Sequence, residues 1–257
     1  MLRAQKALVV LIALVLSGVS ASALSFTGSS GNLAAEVTFN VVAISGDSYL
    51  ADGNYLQVVL TNTSAADVLV PADVLTAVFF SYSGPTLTPG SAFLTDATDT
   101  ILFGSAPGGN VGGEWAYVQP LSGPNGADAG ISSTGVGLFG SGNFYNFVNL
   151  EGPASVNGLQ YGITSAGDNP LTGNAPVTGD NALIQNSVTF LLGGVGNFSI
   201  ADLSISNVSF QYGTSLTEPN IPSDDPGQPV PEPATLTLLG LGLSGLGLMR
   251  LRKRITS

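Results

Sequence analysis

The chain has 257 residues, with six Lys and Arg against 17 Asp and Glu, no His and no Cys, for a formal net charge of −11. The basic residues are Arg3, Lys6, Arg250, Arg252, Lys253 and Arg254, so the span 24–249 has none. This excludes Ser-His-Asp and Cys-His catalysis, His or Cys zinc sites, Schiff-base chemistry, Lys–Asn cross-links and any Lys or Arg clamp on a phosphoryl group between the two ends.

Such a polyanion repels nucleic acid and anionic lipid, which are bound through Lys and Arg, and attracts divalent cations and cationic surfaces. No nucleic-acid partner is expected.

Arg3 and Lys6 precede the apolar run Ala7–Leu16, and small residues follow up to Ala21-Ser22-Ala23. That order is a secretory signal peptide, residues 1–23, cut after Ala23 by signal peptidase once the Sec translocon has engaged it. Exported into an oxidising compartment without Cys, the domain must draw its stability from a core. Residues 24–215 are enough for one.

This ectodomain is rich in turn residues (34 Gly and 15 Pro in the whole chain) and poor in helix formers. Short β-branched and aromatic runs between turns predict an all-β fold, an antiparallel β-sandwich. Leu33–Ile44 and Tyr55–Thr61 read as a hairpin with a long loop. Val74–Tyr82 has few polar residues and reads as a strand buried on both faces. Leu87–Leu94 is a weaker strand. Thr100–Phe103, Glu114–Val118, Val136–Phe139 and Phe144–Val148 are strand-like. Asn157–Ser165 reads as turn then strand, and Ser187–Leu192 and Ser204–Tyr212 are clear strands. Residues 120–133 and 166–181 read as long loops. Leu159-Gln160-Tyr161-Gly162 is echoed by Phe210-Gln211-Tyr212-Gly213, which suggests similar strand ends meeting similar turns.

Residues 216–229 form a Pro-rich linker with prolines at 219, 222, 226 and 229. It is expected to be an extended, stiff stalk that does not pack. Residues 230–257 follow in three parts: Pro231-Glu232-Pro233, an uncharged apolar run over 234–249, and the basic tail Arg250, Arg252, Lys253 and Arg254. As a helix, 16 residues extend about 24 Å, a short transmembrane helix that Leu251 and snorkelling basic side chains can lengthen. The basic tail places the preceding chain outside. Gly240, Gly242 and Gly245 match a dinucleotide fingerprint only in letters. No strand precedes them and no acidic residue follows, so they read as a small-residue helix face.

The order of motif, apolar run and basic tail resembles the PEP-CTERM sorting signal of Gram-negative bacteria. That resemblance implies an exosortase, a transpeptidase-like membrane protease, as processing partner. It also implies an inner-membrane precursor released to the cell surface or extracellular matrix, in association with exopolysaccharide or biofilm. The segments 60–62 (LTN), 74–80 (VLTAVFF), 114–117 (EWAY), 130–135 (GISSTG), 159–163 (LQYGI) and 208–219 (VSFQYGTSLTEP) are similar to exosortase-dependent surface proteins of undefined role, which supply no active site.

The residues themselves leave two kinds of chemistry. Glu36, Glu114 and Glu151 could form a glycosidase carboxylate pair, but they sit in no motif. Asp96 with Asp99, or Asp224 with Asp225, could offer oxygens to weakly bound Ca2+, though no loop has the calcium pattern. No catalytic residue, cofactor or specific metal site is therefore assigned, and a non-enzymatic role is expected. Asn62, Asn197 and Asn207 begin Asn-x-Ser/Thr triplets, which do not by themselves imply a glycan in a bacterium. The alternative is a carbohydrate-binding module. Trp115 and Tyr117, with Tyr145 and Tyr161, would be its aromatic platform, against the competing reading that these rings are core.

Overall fold

The structure, a computed structural model, describes residues 23–47, 50–95, 99–144, 158–179, 181–224 and 228–230. The expected signal peptide up to residue 22, residues 145–148 of one expected strand, and the sorting segment from Pro231 lie outside these residues.

In chain order the elements are β1 (Ala23–Ser30), β2 (Leu33–Ile44), β3 (Gly53–Asn62), β4 (Leu75–Ser83), β5 (Thr88–Leu94), β6 (Thr100–Leu102), β7 (Ala116–Val118), β8 (Ala129–Ser132) and β9 (Ile163–Thr164). The short helix α1 (Ala175–Thr178) follows, then β10 (Leu183–Gln185), β11 (Ser187–Gly193), β12 (Ser204–Tyr212), β13 (Asn220–Pro222) and β14 (Gln228–Val230). They form two sheets. Sheet A runs β14-β1-β2-β3-β11-β5. Sheet B runs β13-β12-β4-β9-β10-β6, with β8 also on β4 and β7 on β8. β9 and β10 pair in parallel, whereas β2 with β3 and β4 with β12 are antiparallel. The all-β sandwich expected from the turn-punctuated sequence is what forms.

Alternation explains the packing. Along β2, Ala35, Val37 and Phe39 point into the core, as do Leu56, Val58 and Leu60 of β3. Opposite them stand Phe80 and Tyr82 of β4 and Phe210 and Tyr212 of β12. The layers meet through rings: Phe39 of sheet A lies edge-on to Phe80 of sheet B at 5.2 Å. The reading of β4 as buried on both faces holds. Its other face carries Ala77 and Phe79 into a second small core with Ala116, Ala127, Val136 and Phe139.

Two local expectations are corrected, and one strand was not expected at all. Ala129–Ser132, read as loop, is a fully buried strand paired to β4 and β7. Apart from Ile131 its residues are small, and at Gly130 bulky neighbours crowd it: a Cβ there would lie 2.8 Å from the Phe79 ring. Apolar periodicity therefore could not reveal it. Val136–Phe139, read as strand, is a turn, with Val136 at φ 40°. β1 carried no strand signal, having only Leu24 and Phe26 among small polar residues, yet Phe26 is buried against Phe39.

Three of the segments singled out by resemblance meet at Thr76, and two more lie close by. The Thr76 hydroxyl donates to the carbonyl of Gly213. Its own carbonyl accepts from the Ser133 amide (2.9 Å) and the Ser132 hydroxyl (3.1 Å). Gly213 N–H donates to Val74 O, and Asn62 Nδ2 donates to Ile163 O. The echoed segments flank the start of β4: Leu75 pairs with Tyr212 on one side and with Ile163 on the other. These segments build a buried polar knot, in which satisfied hydrogen bonds set one strand register.

Candidate functional site

The chain approaches the sorting segment through a pinned turn. The Gln211 side chain is buried and donates to the carbonyls of Tyr212 (2.8 Å) and Ser215 (3.0 Å). Glu218 Oε2 accepts the amides of Thr214 (2.6 Å) and Ser215 (2.9 Å). Gly213, at φ 74°, admits this approach: a Cβ there would lie 2.4 Å from the Glu218 carboxyl carbon.

Next comes a correction to the expected free stalk. β13 returns along β12, with Ile221 opposite Phe210 and buried. The Ser223 amide donates to Val208 O of sheet B, while the Ser223 hydroxyl and the Asp224 amide both donate to Thr27 O of sheet A. The chain has then crossed the seam of the sandwich. β14 pairs antiparallel with β1: Ala23 opposite Val230, Leu24 opposite Pro229, Ser25 opposite Gln228. Prolines do not forbid this. A residue without an N–H is tolerated on an outermost strand, and β13 and β14 are the outermost strands of their sheets. The folded unit thus extends through most of 216–229 and reaches Val230. The residue just before Pro231-Glu232-Pro233 lies beside the residue at the expected signal cut.

Two of the four rings proposed for a glycan platform, Trp115 and Tyr117, are interior. Trp115 is 2 % exposed and Tyr117 7 %, both in the core between the sheets. Trp115 stands edge-on to Phe190 of β11 at 4.9 Å. Tyr161 is half-buried and its hydroxyl donates to Ser105 O, and Tyr145 lies outside the described residues. Burial of the large aromatic surfaces between two sheets decides against an open platform built on Trp115 and Tyr117.

The acidic candidates are dispersed. Glu36 sits on β2 between inward-facing Ala35 and Val37, and its carboxylate accepts the Ser25 hydroxyl at 2.6 Å. Glu114 is buried in a tight turn before Trp115, and Glu151 is outside the described residues. Asp99 is buried and accepts from Asn186 Nδ2 (2.7 Å) and Ser187 Oγ (3.0 Å). Asp224 is exposed, while Asp96 and Asp225 lie outside the described residues. Among the described residues, no group of three or more acidic side chains is placed to hold a metal. Of the Asn-x-Ser/Thr positions, Asn62 is buried in the polar knot.

The sequence did not point to one acidic pair. Asp67 and Asp168 link the loop after β3 to the loop after β9. Asp67 accepts the Thr172 hydroxyl and the Asn169 amide (2.8 Å), and these bonds hold it below the usual carboxylate range. Asp168 accepts the Val68 amide at 3.0 Å, and burial, with the neighbouring Asp67 charge adding to it, pushes its carboxyl up to about 6. Asp67 and Asp73 border a hollow of about 170 Å³, also lined by Asn32 and Ser64. No sequence pattern joins residues 101 positions apart; only the two loops' contact does.

Fold and terminus together define an all-β sandwich whose last strand leads directly into a sorting segment. Residues 229–253 match the family described as the PEP-CTERM protein-sorting motif. Comparison with curated proteins and with solved structures returns no match. The motif marks the chain as an exosortase-targeted surface protein and implies its export to the surface or exterior of a bacterium. Among the described residues no helix is long and apolar enough to cross a membrane; the apolar run 234–249 lies outside them.

Proposed function

We propose that the chain is an exported, non-enzymatic component of the cell surface or extracellular matrix of a Gram-negative bacterium, associated with exopolysaccharide or biofilm. It leaves through the Sec translocon and is cut by signal peptidase after Ala23. It is then held transiently in the inner membrane by residues 234–249 until an exosortase acts near Pro231-Glu232-Pro233. The observation that carries this reading is the sorting motif over 229–253. A passive role is supported by the missing His, Cys, Lys and Arg between residues 24 and 249, and by acidic candidates held apart or engaged in structural hydrogen bonds. The carbohydrate-binding reading loses Trp115 and Tyr117, two of the four rings on which it was built.

The test is Glu232→Ala in cells that carry the exosortase. Wild type should run as a precursor and a shorter mature form. A cut just after Glu232 removes 25 residues, about 2.5 kDa in a chain of 25.9 kDa. The variant should accumulate as precursor in the inner membrane. Equal processing of variant and wild type would refute the assignment of Pro-Glu-Pro as the recognition element.

A further inference from the structure

A hollow of about 440 Å³ opens at one end of sheet A, where β3 begins, β11 ends and β5 begins. These three strands are neighbours, in the order β3-β11-β5. In the row that crosses them, Gly193 of β11 pairs with Thr88 of β5 and stands beside Tyr55 of β3. The middle member of the row has no side chain. A Cβ on Gly193 would lie 3.0 Å from the Thr88 hydroxyl and 3.3 Å from the Tyr55 ring. The nearby Gly194 and Gly196 sit at φ 90° and 64°, where the backbone itself calls for glycine, but Gly193 is not at positive φ. Its missing side chain keeps a notch open between ring and hydroxyl.

The walls of the hollow are polar. The Asn54 side-chain amide donates to the Gly196 carbonyl at 2.7 Å and ties the start of β3 to the loop after β11. Asp52 is exposed at the rim, with one carboxylate oxygen accepting the Gly46 amide at 2.8 Å. The Tyr55 hydroxyl already donates to Ala51 O at 2.9 Å, so what its ring offers a ligand is apolar surface. The size suits a small molecule, but such sites are mostly apolar. This one is lined by a carboxylate, a carboxamide, a hydroxyl and bare peptide groups, which match a hydroxyl-rich ligand. An anionic ligand does not fit. Asp52 would repel it, and the span 24–249 has no Lys, Arg or His to receive its charge.

We propose that this hollow binds a neutral sugar unit of a surface polysaccharide. The proposal deepens the exopolysaccharide association put forward above and rests on it. Sugar hydroxyls bond to Thr88, Asn54 and the Asp52 carboxylate, the last a charge-assisted bond. A C–H edge of the sugar enters the notch over Gly193, against the Tyr55 ring. Trp115 and Tyr117, in the core between the sheets, take no part.

The experiment uses the full chain in a zwitterionic, sugar-free detergent. The probe is the neutral oligosaccharides released by mild acid from the exopolysaccharide of the producing cells, and affinity is measured by calorimetry. Wild type should bind saturably. Thr88→Val removes the hydroxyl and keeps the shape, and should weaken binding about tenfold, the worth of one good hydrogen bond. Gly193→Ala fills the notch and should weaken binding at least as much. Circular dichroism checks the fold of Gly193→Ala, and Thr88→Val, at an exposed position, decides the matter if Gly193→Ala does not fold. Asp73→Asn, in the smaller hollow, should bind as wild type does. A wild type that binds no neutral oligosaccharide overturns the proposal, as does unchanged affinity in folded Thr88→Val and Gly193→Ala. So does binding lost in Asp52→Asn but kept in Thr88→Val, which would mark a cationic ligand. Co-sedimentation with the intact polymer separates this site from the reading beneath it. Polymer that sediments with wild type and both variants alike keeps the association and removes this site. Polymer that sediments with none of them removes the association, and the proposal with it.

Discussion

The hydroxyl of Thr76 donates to the carbonyl of Gly213 across the start of β4 and the end of β12. Both residues are in the protein's interior polar knot, where the Thr76 carbonyl also receives the Ser132 hydroxyl and the Ser133 amide. A polar group inside a sandwich stabilises only when all its neighbours are satisfied, so the knot acts as one unit. Thr76→Val keeps the shape and removes the hydroxyl. It leaves a buried carbonyl short of a donor, which should lower stability by about 1–3 kcal/mol. Urea unfolding followed by circular dichroism will measure this; a midpoint unchanged from wild type would mean that water replaces the hydroxyl.

Trp115 is the chain's one tryptophan and sits against Phe190 between the sheets. Its fluorescence should therefore be blue-shifted and poorly quenched by acrylamide in the native protein, shifting red on unfolding. Soluble glycans should leave it unchanged. Trp115→Ala should destabilise by about 3–5 kcal/mol through lost burial and the cavity it leaves. A strongly quenched native emission would place the ring outside the core and reopen the platform reading.

Ile221 distinguishes a docked segment from a free stalk. It is buried opposite Phe210 in a stretch bounded by Pro219 and Pro222. Ile221→Ala should cost about 2–4 kcal/mol, within the range for truncating a buried aliphatic side chain. It should also render residues 219–230 sensitive to limited proteolysis. A stalk that never packs would lose no stability on this substitution.

Asp168 has a pH signature of definite sign. Its carboxyl is raised to about 6 in the folded protein, above the ordinary 3.8, by burial first. The folded state therefore binds the proton more tightly. Its contribution to stability is complete below about 3.8 and is lost as pH rises through about 6. Asp67, shifted down by its bonds from Thr172 and Asn169, acts in the opposite sense, losing its contribution as pH falls below the ordinary carboxylate range. Asp168→Asn keeps an oxygen for the Val68 amide and removes the charge. At pH 7 it should be more stable than wild type by on the order of 1 kcal/mol, allowing for solvent screening, and the two should converge near pH 4. Thermal melts at both pH values test this, and a variant less stable at pH 7 would contradict the raised carboxyl.

Alternating apolar residues in Leu33–Ile44 and Tyr55–Thr61 determined by themselves that a hairpin would form and which faces it would bury, because the strand period is two. The run 74–80, with few polar residues, likewise declared a strand covered on both sides. The order of Pro-Glu-Pro, apolar run and basic tail determined the sorting signal, since such a signal is read from the linear chain. Other features depended on contacts between distant segments. Ala129–Ser132, with one large apolar residue, Ile131, among small ones, gave no pattern until Phe79 and Phe139 were packed against Gly130. Trp115 was equally compatible with an open face or a core until the second sheet closed over it. Asp67 and Asp168 became a pair only when two loops met. Composition made 216–229 look unpackable because proline is scarce inside sheets. Only the tertiary structure supplied two outer edges where a missing N–H is tolerated, and a first strand, beginning at Ala23, for the last one to lie against.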